Sequence, residues 1–91
     1  MPKLEDYVRN VIQSCASDNS YLVNLNWNKL DDAIKIVKSR AKIVREVGNV
    51  LTLAEFKGTS ISVYNDGRLL IKRLDKKIDV NDFLKDLFGV E

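Results

Sequence analysis

Residues 41–74, AKIVREVGNVLTLAEFKGTSISVYNDGRLLIKRL, decide the fold of this chain. Apolar residues alternate with polar ones along four short segments of this stretch, which is the period-2 pattern of a strand with one buried face. Three short turn sequences separate the segments: GN at 48–49, KG at 57–58 and NDG at 65–67. The stretch therefore predicts four antiparallel strands joined in sequence order.

The lengths of the turns predict which residues lie opposite one another. If NDG is a three-residue loop with Gly67 in the left-handed conformation, Tyr64 faces Arg68. If KG is a two-residue loop, Phe56 faces Thr59. This register predicts a core face made of Val50, Thr52, Ala54, Phe56, Thr59, Ile61, Val63, Leu69 and Ile71. It predicts an open face made of Leu51, Leu53, Glu55, Ser60, Ser62, Tyr64, Arg68, Leu70 and Lys72.

The strand predicted at residues 42–47 depends on the loop that follows it. A two-residue loop at 48–49 would turn Arg45 toward the core, where an unpaired charge is costly. The sequence therefore favours either an edge strand or a longer loop.

Three helices and one more strand are predicted outside this stretch. Apolar residues recur at helical spacing in residues 3–16, 29–40 and 79–88, whereas residues 21–25 have the pattern of a short strand. The element order is then α-β-α-β-β-β-β-α in a single α+β domain, residues 1–91. We expect an antiparallel sheet of about five strands with the helices on one face.

Composition limits the functions that the chain can have. It holds 15 basic and 13 acidic residues, a net charge of only +2, which permits contact with a polyanion but does not require it. Histidine, the commonest general base and metal ligand near neutral pH, is absent, and Cys15 is the single cysteine. No apolar run approaches the roughly 20 residues needed to cross a bilayer. We therefore expect a cytoplasmic protein that is not an enzyme, holds no metal or cofactor and does not enter a membrane.

Two local sequences resemble the TATA-box-binding protein family. VNL at 23–25, followed by KLD at 29–31, resembles the end of that family's first strand and the start of its first helix. SISVYNDGRLLI at 60–71 resembles its strand, short turn, basic residue and following strand. The predicted order from residue 21 onward, β-α-β-β-β-β-α, is that of one half of this family's fold.

The resemblance implies that the open sheet face contacts DNA. In the family this face lies on the minor groove, and phenylalanines at the strand ends wedge between base steps. The hairpin phenylalanine falls on Tyr64, an apolar groove contact on Leu70 and a threonine on Lys72. The family's groove-reading asparagine falls near Asp18 and its other wedge phenylalanine near Val47. Because these two positions differ from the family, the resemblance does not imply recognition of a specific DNA sequence.

The open face leads to two hypotheses for function. Four of its predicted residues, together with Leu22 of the strand predicted at residues 21–25, form an apolar patch too large to leave in water on a monomer: Leu22, Leu51, Leu53, Tyr64 and Leu70. The first hypothesis is a small protein-interaction module that forms a homo-oligomer, through this face or a sheet edge, or binds another protein. The alternative is weak binding of DNA or RNA without strong sequence preference, with Tyr64 on the face and Arg68, Lys72 and Lys42 as phosphate contacts.

Overall fold

A computed structural model describes residues 3–90 of the chain. Its elements are α1 (Leu4–Tyr7), β1 (Val8–Cys15), β2 (Ser20–Leu25), α2 (Leu30–Arg40), β3 (Lys42–Val47), β4 (Leu51–Phe56), β5 (Thr59–Tyr64), β6 (Arg68–Lys72) and α3 (Val80–Phe88). A 3-10 turn, Trp27–Lys29, precedes α2. Neighbouring strands are antiparallel in the order β1-β2-β6-β5-β4-β3, so β1 and β3 are the two edges of the sheet. The fold is α+β, as predicted.

The helix predicted over residues 3–16 is wrong. The helix α1 is one turn long, and the chain then continues as strand β1, which pairs with β2. A β-bulge between Val8 and Asn10 adds one residue to β1, so Val8 and Val11 both face the core although they are three positions apart. The bulged strand thus has the apolar spacing of a helix. The sheet has six strands instead of about five, and the order is α-β-β-α-β-β-β-β-α.

The register predicted for the two later hairpins is confirmed. The KG loop places Phe56 opposite Thr59. The NDG loop places Val63 opposite Leu69, and Gly67 at its end has a φ of 104°. Glycine suits that position because it has no Cβ to oppose a positive φ. Local turn chemistry therefore sets which side chains share a face across β4, β5 and β6.

The loop between β3 and β4 has three residues, 48–50, and is the longer of the two alternatives. Val50 belongs to this loop and is 68% exposed, so its predicted place in the core face is wrong. The strand β3 is also an edge strand with a bulge at Val44, so Arg45 lies exposed opposite Leu53 instead of in the core. The structure therefore has both an edge strand and a longer loop, the two alternatives to a buried arginine.

The core lies between one face of the sheet and the helices. The sheet contributes the buried apolar residues Val23, Leu25, Ala54, Ile61, Val63, Leu69 and Ile71. The helices contribute Tyr7, Ala33, Val37, Phe83, Leu84, Leu87 and Phe88. The ring of Phe83 meets that of Phe56 edge-on with centroids 5.6 Å apart, and Phe88 stacks on Tyr7 at 5.5 Å. The expectation that the helices occupy one face of the sheet is thus met.

The ends of α3 follow the capping signals in its sequence. Asp79 Oδ1 accepts hydrogen bonds from the backbone N–H groups of Asn81 at 2.8 Å and Asp82 at 3.4 Å. Gly89, with a φ of 70°, ends the helix. Asn28 lies within the 3-10 turn, and α2 begins without a side-chain cap.

The helix layer is narrower than the sheet. Six strands about 4.8 Å apart span roughly 24–29 Å, whereas two helices side by side cover about 20 Å. The uncovered width lies at the two edges. All six residues of β3 are exposed, and a groove remains between β1 and the helices α1 and α3.

Candidate interaction face

The face of the sheet opposite the helices, the open face, is ordered by strand register. One row of side chains crosses all six strands: Arg45, Leu53, Ser62, Leu70, Leu22 and Ile12. Val47, Leu51 and Tyr64 extend the apolar surface on one side of this row. Lys42, Glu55, Ser60 and Lys72 form a polar row on its other side. Because opposite side chains on neighbouring strands lie about 5 Å apart, each row is a nearly continuous surface.

The open face is packed along its centre and accessible at its margins. The helices all lie on the core side, so the open-face side chains are shielded mainly by one another. Ser62 is only 2% exposed because the half-buried Leu53 and Leu70 flank it. Ile12, at the edge, is 51% exposed, and Val47 at the other edge is 42% exposed.

The structure places all five predicted interface residues on the open face, each half-buried: Leu22, Leu51, Leu53, Tyr64 and Leu70. Sequence reasoning missed Ile12 and Val47. Ile12 falls in the helix predicted over residues 3–16, although the β-branched residues Val8, Val11 and Ile12 so close together are a strand signal. The apolar surface is therefore one strand wider at each edge than predicted.

Tyr64, Arg68 and Asp66 form a compact cluster where β5 meets β6. The Arg68 guanidinium lies 5.0 Å from the centroid of the Tyr64 ring. Arg68 Nε donates to Asp66 Oδ2 at 3.0 Å, and Arg68 Nη2 lies 2.9 Å from the same oxygen. This side-chain hydrogen bond holds the pKa of Asp66 below its ordinary value and raises the pKa of Arg68. Arg68 is therefore already in an ion pair with a carboxylate of the same chain.

The two lysines predicted to contact phosphate lie apart from each other. Lys72 on β6 is opposite Ser60, and Lys42 on β3 is opposite Glu55. Since Ser60 and Glu55 are themselves opposite each other, three interstrand spacings, about 14 Å, separate the two lysines. Of the four residues predicted to bind nucleic acid, the structure brings only Tyr64 and its neighbouring arginine into contact.

Within residues 3–90, no three His, Cys, Asp or Glu side chains come together in a way that could hold a metal ion. That part of the chain also contains no helix long and apolar enough to cross a membrane.

Comparisons of this chain with protein-family models, with curated proteins and with solved structures found no match.

Proposed function

We propose that this protein is a small interaction module that self-associates through its open face. The observation that carries the proposal is a row of aliphatic side chains across the uncovered side of the sheet: Ile12, Leu22, Leu70 and Leu53. A two-fold axis that lies between two sheets, parallel to both, sets the open face of one copy against that of the other. Sheets packed in this way lie about 10 Å apart, and burial of the row stabilises the pair through the hydrophobic effect.

The size of the open face supports a second copy as its occupant. Strands of six residues at about 3.4 Å per residue are roughly 20 Å long, and six of them span about 29 Å, which gives a projected area of about 580 Å². The extents of the molecule, 32 × 31 × 20 Å, agree with this footprint. Two such faces together would remove about 1,160 Å² from solvent, more than the roughly 1,000 Å² that a biological interface should exceed.

The charges of the open face are placed so that a dimer need not bury them. Arg68 and Lys42 each have a carboxylate neighbour within the same chain. The other two cations, Arg45 on the edge strand β3 and Lys72 at the end of β6, are exposed at the margin. Long cationic side chains at a margin can keep their charged groups in water while the centre is covered.

Sedimentation velocity at micromolar concentration tests this proposal. The wild type is expected to sediment as a dimer, and a variant with both Leu53→Lys and Leu70→Lys as a folded monomer, because burial of two unpaired charges opposes association. The control variant, Trp27→Lys with Ile78→Lys, adds the same charge at exposed apolar residues outside the sheet and should remain dimeric. A monomeric wild type, or a control that dissociates as fully, contradicts the proposal.

A second candidate function is weak, sequence-tolerant binding of DNA or RNA through the same face. It is favoured by the net positive charge of the open face. The strand positions of this face carry one carboxylate, Glu55, and four cations: Lys42, Arg45, Arg68 and Lys72. Tyr64 adds an aromatic ring on which a base could stack. We rank this candidate second because two of the four cations already have carboxylate neighbours.

The proposed likeness to one half of the TATA-box-binding protein fold belongs with this second candidate. The order of elements from β2 to α3 is β-α-β-β-β-β-α, which supports the likeness. The strand β1 falls outside that order, and it lies at the edge of the sheet beside β2.

Fluorescence anisotropy at low salt tests the second candidate with duplex DNA, single-stranded DNA and RNA. Three or four cationic contacts predict a slope of log affinity against log salt of roughly −3 on duplex DNA, with a dissociation constant no better than micromolar. Tyr64→Ala should weaken single-strand binding by about 1–3 kcal/mol, whereas the control Tyr64→Phe keeps the ring and should bind normally. No binding at about 50 μM protein contradicts this candidate.

A further inference from the structure

The two edges of the sheet differ in their capacity to accept another strand. The strand β3 has a bulge at its centre and three charged residues, Lys42, Arg45 and Glu46, which are features that block pairing at an edge. The irregularities of β1 lie toward its ends, and its central residues 10–13 are uncharged and in regular register with β2. Among the described strands β1 has β2 as its one neighbour, so its other side presents backbone N–H and C=O groups that a further strand could pair.

A groove of about 770 Å³ lies beside this edge, on the core side of the sheet. Its aliphatic lining comes from three elements: Leu4 of α1, Val8 and Val11 of β1, and Val80 of α3. Every second side chain of a strand added to β1 would point toward this groove. An open strand edge with an apolar groove for alternate side chains is the geometry by which proteins bind extended peptides.

The charged lining of the groove is mainly positive. Lys3 and Lys85 line it, and Glu5 is the carboxylate among the described lining residues. Neither lysine forms an ion pair within residues 3–90. Arg9 adds a further cation on β1 itself. A ligand with carboxylates near the ends of an apolar segment would complement this arrangement.

We propose that this edge binds an extended acidic peptide. The peptide pairs with β1 as a seventh strand, places apolar side chains in the groove and sets carboxylates beside Lys3 and Lys85. A second copy of this chain is a poorer occupant, because β1 carries Arg9 and no carboxylate, so that a second β1 would offer Lys3 and Lys85 no anionic partner. The site is separate from the open face and does not depend on self-association.

The blocked heptapeptide Glu-Thr-Val-Thr-Val-Thr-Glu is a suitable probe. It reads the same in both directions, so it presents two valines and two glutamates on one side whether it pairs parallel or antiparallel. Fluorescence anisotropy of the labelled peptide with the full chain is expected to show saturable binding. Exchange of both glutamates for lysine should abolish binding. Proline at both the central threonine and the valine that follows it should weaken binding about tenfold, because the N–H groups of adjacent residues point to opposite sides of a strand and one of the two would therefore pair with β1.

Lys85→Glu is the protein variant that tests the groove, and Lys77→Glu is its matched control on an exposed loop outside the lining. Lys85→Glu should weaken binding of the acidic peptide roughly tenfold and improve binding of the lysine peptide, since an attraction becomes a repulsion. Lys77→Glu, and the open-face variant with two lysines, should bind as the wild type does. No saturable binding to the wild type, equal losses in the two charge variants, or unchanged binding of the proline peptide would each overturn the proposal.

Discussion

The two faces of the sheet are built from the same strands but have different physical roles. Leu69 and Leu70 are consecutive residues of β6, yet Leu69 is completely buried and Leu70 is half-buried. The difference arises because successive side chains of a strand point to opposite faces, and the helices all pack against one of them. Stability therefore depends mainly on the core face, whereas the open face is the one through which we propose that the protein self-associates.

Ala54→Glu is expected to give the largest effect that this comparison predicts. Ala54 is 3% exposed and lies between Ile43 and Ile61 on the core face, so glutamate there would be a buried, unpaired charge. We expect a loss of about 4 kcal/mol in the free energy of unfolding, measured by urea denaturation. Leu53→Glu, one residue away on the open face, is the matched control and should cost about 1 kcal/mol or less. Similar losses in both variants would break the distinction between the faces.

Leu69→Ala and Leu70→Ala test the same distinction without adding charge. Leu69→Ala removes a fully buried side chain and should cost about 2–5 kcal/mol, including the cavity that it leaves. Leu70→Ala removes a half-buried side chain with solvent on one side and should cost about 1 kcal/mol. Denaturation at a dilution where the wild type is monomeric keeps any loss of association out of the comparison. A larger loss for Leu70→Ala would show that something covers the open face in the isolated chain.

The smallest predicted effect is at the margin of the open face, where Asp66 meets Arg68. The hydrogen bond from Arg68 lowers the pKa of Asp66 below its ordinary value of 3.8. In Arg68→Ala we expect this pKa to rise toward that value, as followed by NMR titration of the carboxyl carbon. A carboxyl with a lowered pKa in the folded state adds stability above its ordinary pKa, and this stability is lost as pH falls through the lower value. An unchanged pKa of Asp66 in the variant would mean that a group other than Arg68 lowers it.

The sequence predicted the parts of the fold that local chemistry determines. The register of β4, β5 and β6 follows from turns of two and three residues, so matching apolar positions across each turn was sufficient. The same register placed Leu53 and Leu70 on one face and Ala54 on the other. Most of the apolar patch on the open face therefore follows from the residues and their turns alone.

The sequence did not predict the first strand, for a reason that lies in its backbone. The bulge in β1 puts Val8 and Val11 on one side of the sheet, and a spacing of three is also that of a helix. Whether β1 contains a bulge depends on how it pairs with β2, and the periodicity of one segment gives no information on that pairing. Ile12 and the groove beside β1 were missed with the strand. Val50 was misplaced because the loop before β4 extends to residue 50, where the alternating pattern predicted the strand to begin.

The position of β2 between β1 and β6 determines the order in which the sheet can be completed during synthesis. The hairpins of β3, β4, β5 and β6 form between neighbours in sequence, whereas β2 must wait for β6, the last strand to be made. Until then β1 and β2 have only each other, and an isolated two-stranded hairpin is at best marginally stable. We therefore expect the long-range closure of β2 on β6 to be the slow step of folding, with the N-terminal hairpin exposed until it occurs.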